Sequence, residues 1–172
     1  MFEIDQQGFA AAFAAGARVI DVREPHEYAL GHVRFAVLYP VAGIGGSVAS
    51  FWFSDVNVAA AGASGAIFGL MGAYLVVGRR LGADVSQVLV LLGINVVIGF
   101  VVPNTDWRAH LGGLIVGTLM AFVLAYAPPR NRVIIQVAGT VAIVAGLVLA
   151  IMVRDQQITE LVIAQLGGLP TA

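Results

Sequence analysis

Five stretches of at least 20 residues carry no Asp, Glu, Lys or Arg: 35–54, 56–78, 85–105, 109–129 and 133–153. Each is of the size at which a helix crosses a bilayer, roughly 20 predominantly apolar residues at about 1.5 Å rise per residue. A helix of a soluble core would be interrupted by polar positions with a period of about 3.6 residues, and these runs are not. With 59% hydrophobic and 11% charged residues among 172, an ordinary soluble domain is excluded. The expected architecture is an all-α integral membrane bundle of about five transmembrane helices. The first run is the least helical in character, because it contains Pro40, Gly43, Gly45 and Gly46.

Charge excludes further classes and suggests an orientation. Nine arginines and no lysine stand against ten acids, a formal net of -1, so no basic excess is present to hold nucleic acid. There is no cysteine, which removes disulfides, thiolate metal sites and cysteine nucleophiles. Arg18, Arg23, Arg34, Arg79, Arg80, Arg130 and Arg132 fall on one side of a five-helix topology, and only Arg108 and Arg154 on the other. That asymmetry favours a cytoplasmic N-terminus, in the plasma membrane. Glu3 and Asp5 stand where a secretory leader is basic, and no long apolar region precedes residue 19, so the start does not read as a cleaved signal peptide.

The second and fourth runs carry residues with chemistry. The second contains Gly62-Ala63-Ser64-Gly65 followed by Gly69, and the fourth contains His110 followed by Gly113 and Gly117. A serine hydroxyl becomes an effective nucleophile when an imidazole accepts its proton, and the same imidazole can return that proton to a leaving amine. Glycines four apart put a small-residue groove on one helix face. Pressing the Gly65/Gly69 groove onto the Gly113/Gly117 groove would bring Ser64 and His110 together, both near the same membrane face. Alone, a Gly-x-Ser-Gly in a membrane helix is commonly packing, its serine bonded to its own backbone. An intramembrane histidine is costly and ordinarily faces a partner or a wet cavity, so the pair outweighs either motif.

These motifs, in this order, resemble the rhomboid family of intramembrane serine proteases across roughly residues 34–128. Gly62, Ser64, Gly65 and Gly69 are similar to the family's nucleophile helix, and His110, Gly113 and Gly117 to its histidine helix. Arg34-Phe35-Ala36-Val37-Leu38-Tyr39 with Gly43-Ile44-Gly45-Gly46 resembles the third of the family's six core helices. The resemblance implies a Ser64 nucleophile and a His110 general base in a dyad without an acid, no cofactor and no metal. It implies cleavage of transmembrane protein substrates within the lipid bilayer, with water entering through a polar depression. The His and Asn that the family's second helix gives to the oxyanion site match no position here, which leaves the Ser64 backbone N–H as the expected oxyanion donor. The alternative is a catalytically impaired rhomboid-like pseudoprotease that binds membrane client helices. A small transporter would need paired intramembrane charges or interrupted helices in repeated halves, and neither is found.

Residues 1–33 differ in kind from the apolar remainder of the chain. The run Arg18-Val19-Ile20-Asp21-Val22-Arg23-Glu24-Pro25-His26-Glu27-Tyr28-Ala29-Leu30-Gly31-His32 resembles the strand and helix that open a rhodanese-like domain. It is read as a short α/β-type cytoplasmic fragment, with Glu24-Pro25 starting a turn or helix; sulfur transfer is excluded by the missing cysteine. Residues 129–153 are expected to form an additional transmembrane helix, and 154–172 a tail whose Ile158, Leu161, Val162 and Leu166 lie on the membrane surface. Asn95 and Gln136 are expected to make hydrogen bonds between helices, and Trp107 to anchor at the interface. His26 and His32 have no acidic or histidine cluster around them that would make a metal site.

Overall fold

The computed structural model describes residues 25–55, 63–102 and 105–167. Among them are five α-helices and no strand: α1 (Pro25–Phe53), α2 (Ser64–Arg80), α3 (Ser86–Val101), α4 (Trp107–Tyr126) and α5 (Arg132–Gly167), with a 3-10 turn at Pro129–Asn131 before α5. The chain divides into two units, Met1–Val33 and Arg34–Ala172, and the bundle is the second. The strand expected near residues 18–22 lies outside the described residues. From Pro25 the backbone is helical, with proline in the first helical position, where its missing N–H costs nothing.

The first apolar run is an unbroken helix despite Pro40 and three glycines. Its glycines are what allow it to dock. A Cβ on Gly46 would stand 2.7 Å from the Ala109 carbonyl oxygen and 3.3 Å from the Gly65 Cα, and one on Gly45 would meet Val116 at 2.5 Å. Without side chains there, α1 approaches α2 and α4 at backbone distance, and the packing offsets the low helix propensity of glycine. The buried centre is built by these three helices: Leu38 and Val41 from α1, Ala73 and Val76 from α2, Met120 and Ala121 from α4.

The turns follow from local sequence. The chain leaves α2 through Gly82, at φ 72°, a left-handed conformation that favours glycine. Asp84 then accepts from the Ser86 N–H at 2.9 Å and opens α3. Asp106 caps α4, its Oδ1 accepting from the N–H groups of Arg108 (3.0 Å) and Ala109 (3.3 Å). Pro128 and Pro129 separate α4 from α5, since neither can donate to a continuing helix.

Three helical segments are long and apolar enough to cross a membrane: Phe35–Phe53, Trp107–Tyr126 and Pro129–Leu166. The other two apolar runs give shorter helices than expected, 17 residues in α2 and 16 in α3, because α2 begins at Ser64 and α3 ends at Val101. The fifth run continues without a break from Arg132 to Gly167, 36 residues. Ile158, Leu161, Val162 and Leu166 therefore prolong α5. At about 1.5 Å per residue α5 is roughly 54 Å long, well beyond a hydrocarbon core of about 30 Å.

The periphery is apolar outward. In α3 only Gly99 is buried, while Leu91, Ile94, Val97 and Phe100 are exposed. On a water-soluble protein such a surface would drive aggregation; in a bilayer it is the face presented to lipid. α5 is held by polar ties: Gln136 donates to the Leu124 carbonyl of α4 at 2.6 Å. At the far end the Trp52 indole donates to the Ala150 carbonyl at 3.0 Å, and Arg154 Nε to the Phe51 carbonyl at 3.2 Å. Gln136 thus bonds between helices as expected. Asn95 does not: its amide donates to Leu91, one turn back on its own helix, at 2.8 Å.

Candidate active site

The site is built where the N-termini of α2 and α4 lie side by side. Ser64 is the first residue of α2, the position where helix N–H groups have no carbonyl partner four residues back within the helix and where the helix dipole is positive. His110 lies in the first turn of α4, just inside the Asp106 cap. Gly62 lies outside the described residues. Four residues beyond Ser64, on the same face of α2, Phe68 is buried and its ring lies flat on the His110 imidazole, centroids 4.2 Å apart and planes 8° from parallel.

Glycine makes this approach possible. A Cβ on Gly65 would stand 3.0 Å from the Ala109 carbonyl oxygen, and a Cβ on Gly113 would overlap the Gly65 carbonyl. One turn on, a Cβ on Gly69 would lie 2.9 Å from the Gly113 carbonyl, and a Cβ on Gly117 would overlap the Gly69 backbone. The two grooves are thus in mutual backbone contact along two turns, at distances where Cα–H groups face carbonyl oxygens. Gly112, on the neighbouring face of α4, meets Gly45 of α1 in the same way, a Cβ there standing 2.6 Å from the Gly45 carbonyl.

This packing brings Ser64 and His110 onto adjoining helix ends. No hydrogen bond joins them, and His110 Nδ1 is buried without a partner among the described residues. Around the imidazole is a cavity of about 100 Å³ between α2, α3 and α4, lined by Phe68, Val96, Phe100, Trp107 and Leu111 as well as His110. Its walls are apolar. Gly99 of α3 leaves room beside the ring: a Cβ there would stand 3.3 Å from His110 Nδ1.

Two further residues contribute to the site beside the serine and histidine. Phe68 is detectable only through its spacing of four from Ser64, because nothing in the sequence says which residue it will face. Asp106 carries the N-cap signature of an acid before an apolar run, and its cap sets the first turn on which His110 sits. Its second oxygen, Oδ2, is buried without a hydrogen-bond partner among the described residues. Trp107 packs between helices, its ring 5.2 Å from that of Phe100, with the Arg108 guanidinium 5.1 Å from its centroid.

Comparison with known proteins agrees with the motif order. The family model described as "Rhomboid domain" matches residues 22–127, more than half of the chain and beginning twelve residues before the stretch that resembles the family, inside the segment that resembles a rhodanese. The rhomboid protease GluP of Bacillus subtilis is 44% identical over 102 residues, covering 55% of this chain and 19% of that protein. RHOMBOID-like protein 1 of Arabidopsis thaliana is 36% identical over 116 residues (63% of this chain, 29% of the relative). The mitochondrial RHOMBOID-like protein 6 of the same plant is 36% identical over 110 residues (59% and 35%). The chain spans about a fifth to a third of the length of these relatives. No solved structure matches it. With a family match over most of the membrane bundle, and glycine-packed helices carrying its serine and histidine, this integral membrane chain belongs to the rhomboid family.

Proposed function

We propose that this chain forms the catalytic part of an intramembrane serine endopeptidase in which Ser64 is the nucleophile and His110 the general base. The observation that carries the reading is the Phe68–His110 stack, which sets the imidazole against α2 one turn from Ser64. In the first step the Ser64 Oγ attacks the scissile carbonyl of a substrate helix while an imidazole nitrogen of His110 takes the hydroxyl proton. The tetrahedral oxyanion forms at the N-terminus of α2, where the Ser64 N–H and the helix dipole stabilise negative charge. His110 then passes its proton to the leaving amine, and the C–N bond breaks to leave an ester on Ser64. Water, activated by the same imidazole, hydrolyses that ester. The substrates are transmembrane proteins, cleaved where small or helix-breaking residues make backbone exposure less costly. The arginine distribution supports a cytoplasmic N-terminus.

The second reading, a pseudoprotease that binds client helices without cutting them, is favoured by the missing hydrogen bond between Ser64 and His110. Catalytic hydrogen bonds are often long before substrate binds, so the gap by itself does not decide. Labelling of the detergent-solubilised chain with a fluorophosphonate does. Labelling of the wild type that is lost in both Ser64→Ala and His110→Ala supports the dyad. A folded wild type that takes no label overturns protease activity for this chain and leaves the binding module.

A further inference from the structure

A second cavity lies at the opposite end of the bundle from Ser64 and His110, with a volume of about 420 Å³. That is within the range of about 300–1,000 Å³ typical of small-molecule sites. Its walls are apolar, with Leu38 from α1, Leu70 and Val77 from α2 and Leu124 from α4, and two of its lining residues are arginines, Arg80 and Arg132. Leu70, Val77 and Arg80 follow one face of α2 at spacings of seven and three, so the cavity extends about 15 Å along that helix. Arg80 is oriented by Tyr126, its guanidinium carbon 5.0 Å from the ring centroid.

The charge at this end has no internal answer among the described residues. Asp84, the acid nearest in the chain, is engaged by the Ser86 N–H. Asp106 sits at the N-terminus of α4, Asp55 follows the C-terminus of α1, and Asp155 and Glu160 lie beyond Gln136 in the part of α5 that starts beside Phe51, all away from this end of the bundle. Helix-dipole compensation accounts for basic residues in the last turn of α2. It does not account for Arg132, which opens α5, where the dipole disfavours a cation.

We infer that this cavity binds an anionic phospholipid, with a phosphate held by Arg80 and Arg132 and an acyl chain lying along Leu38, Leu70, Val77 and Leu124. The shape asks for both halves of that ligand. Guanidinium groups pair phosphate oxygens through two parallel N–H donors, and a basic pocket between transmembrane helices is a physical match to an anionic headgroup. A free anion would leave the apolar length unfilled, and an uncharged lipid would leave the arginines unpaired.

The test uses the whole chain in phosphatidylcholine bilayers with trace spin-labelled phosphatidylglycerol or spin-labelled phosphatidylcholine, read as the motionally restricted fraction. At about 5-fold per arginine, the wild type should prefer phosphatidylglycerol by about 10- to 30-fold. Arg80→Gln with Arg132→Gln should bring that ratio to near one. Val77→Phe, which fills the cavity, should bring the ratio towards one while the arginines remain. Both arginines are at the end of the bundle, so the double variant keeps the test valid where Val77→Phe fails to fold. Equal restriction of the two lipids by the wild type, or a preference that survives loss of both arginines, overturns the inference. Displacement of the labelled lipid by millimolar inorganic phosphate overturns it in favour of a free-anion site. Absence of any phosphatidylglycerol excess in the wild type, with cross-linking of two copies through Val77→Cys, overturns it in favour of a self-association face.

Discussion

The imidazole of His110 rests face to face on the ring of Phe68, 4.2 Å between centroids and 8° from parallel. One face of the histidine is thereby fixed by a residue of the helix that carries Ser64, so the two helices orient the ring jointly. Stacked aromatic pairs contribute about 0.5–1.5 kcal/mol beyond the area they bury. Phe68→Leu, which keeps an apolar group there, should slow fluorophosphonate labelling of Ser64 by about 3- to 10-fold and cost about 0.5–1.5 kcal/mol of stability through loss of the stack. A labelling rate equal to wild type would show that the stack does not position the imidazole.

The glycine contacts make opposite predictions for two substitutions of one kind. A Cβ on Gly113 overlaps the Gly65 carbonyl, whereas one on Gly93 meets nothing within 4 Å. Gly113→Ala should therefore destabilise the bundle by about 1–3 kcal/mol through overpacking. Gly93→Ala should be neutral or stabilise by about 0.5–1 kcal/mol, since glycine in a helix interior carries an entropic cost. Unfolding in a denaturing detergent reads both, and equal effects would contradict backbone contact between α2 and α4.

Asp106 combines a cap with an uncompensated oxygen. Its Oδ1 bonds two N–H groups of α4, while Oδ2 is buried without a partner among the described residues. Asp106→Ala should lower stability by about 0.5–2 kcal/mol through loss of the cap. Asp106→Asn keeps a capping oxygen and removes a buried charge, so its melting temperature should equal or exceed that of the wild type. A lower melting temperature for the asparagine variant than for the wild type would exclude this account.

Asp84 predicts a local pH dependence. Hydrogen bonds from the Ser86 backbone N–H and side chain hold its carboxyl below the usual carboxylate value. A carboxylate whose folded value is depressed adds stability that is complete above the unfolded value and is lost as pH falls through the folded one. Amide exchange at the first turn of α3 should accelerate on acidification below the ordinary carboxylate range. Asp84→Asn should flatten that dependence, and an unchanged profile in the variant would assign it to another group.

What the sequence determines by itself is local. Charge-free runs mark where helices cross the membrane because no polar backbone can be left open in lipid. Asp106, Gly82 and Pro128-Pro129 mark where helices begin and end, because caps, positive φ and missing N–H groups act within a turn. Glycines at 65, 69, 113 and 117 show that grooves exist, since spacing of four is a property of one helix. Tertiary structure decides what each groove meets. It threads α1 through Pro40 because Gly45 and Gly46 reach backbone contact with α4 and α2, a gain invisible to propensity. It carries α5 through Arg154 to Gly167 as one helix, with Arg154 bonded to the Phe51 carbonyl, where charge alone suggested an end. And it selects Phe68 for His110, because facing is a relation between helices whose crossing is set by close packing, and no periodicity within either one encodes it.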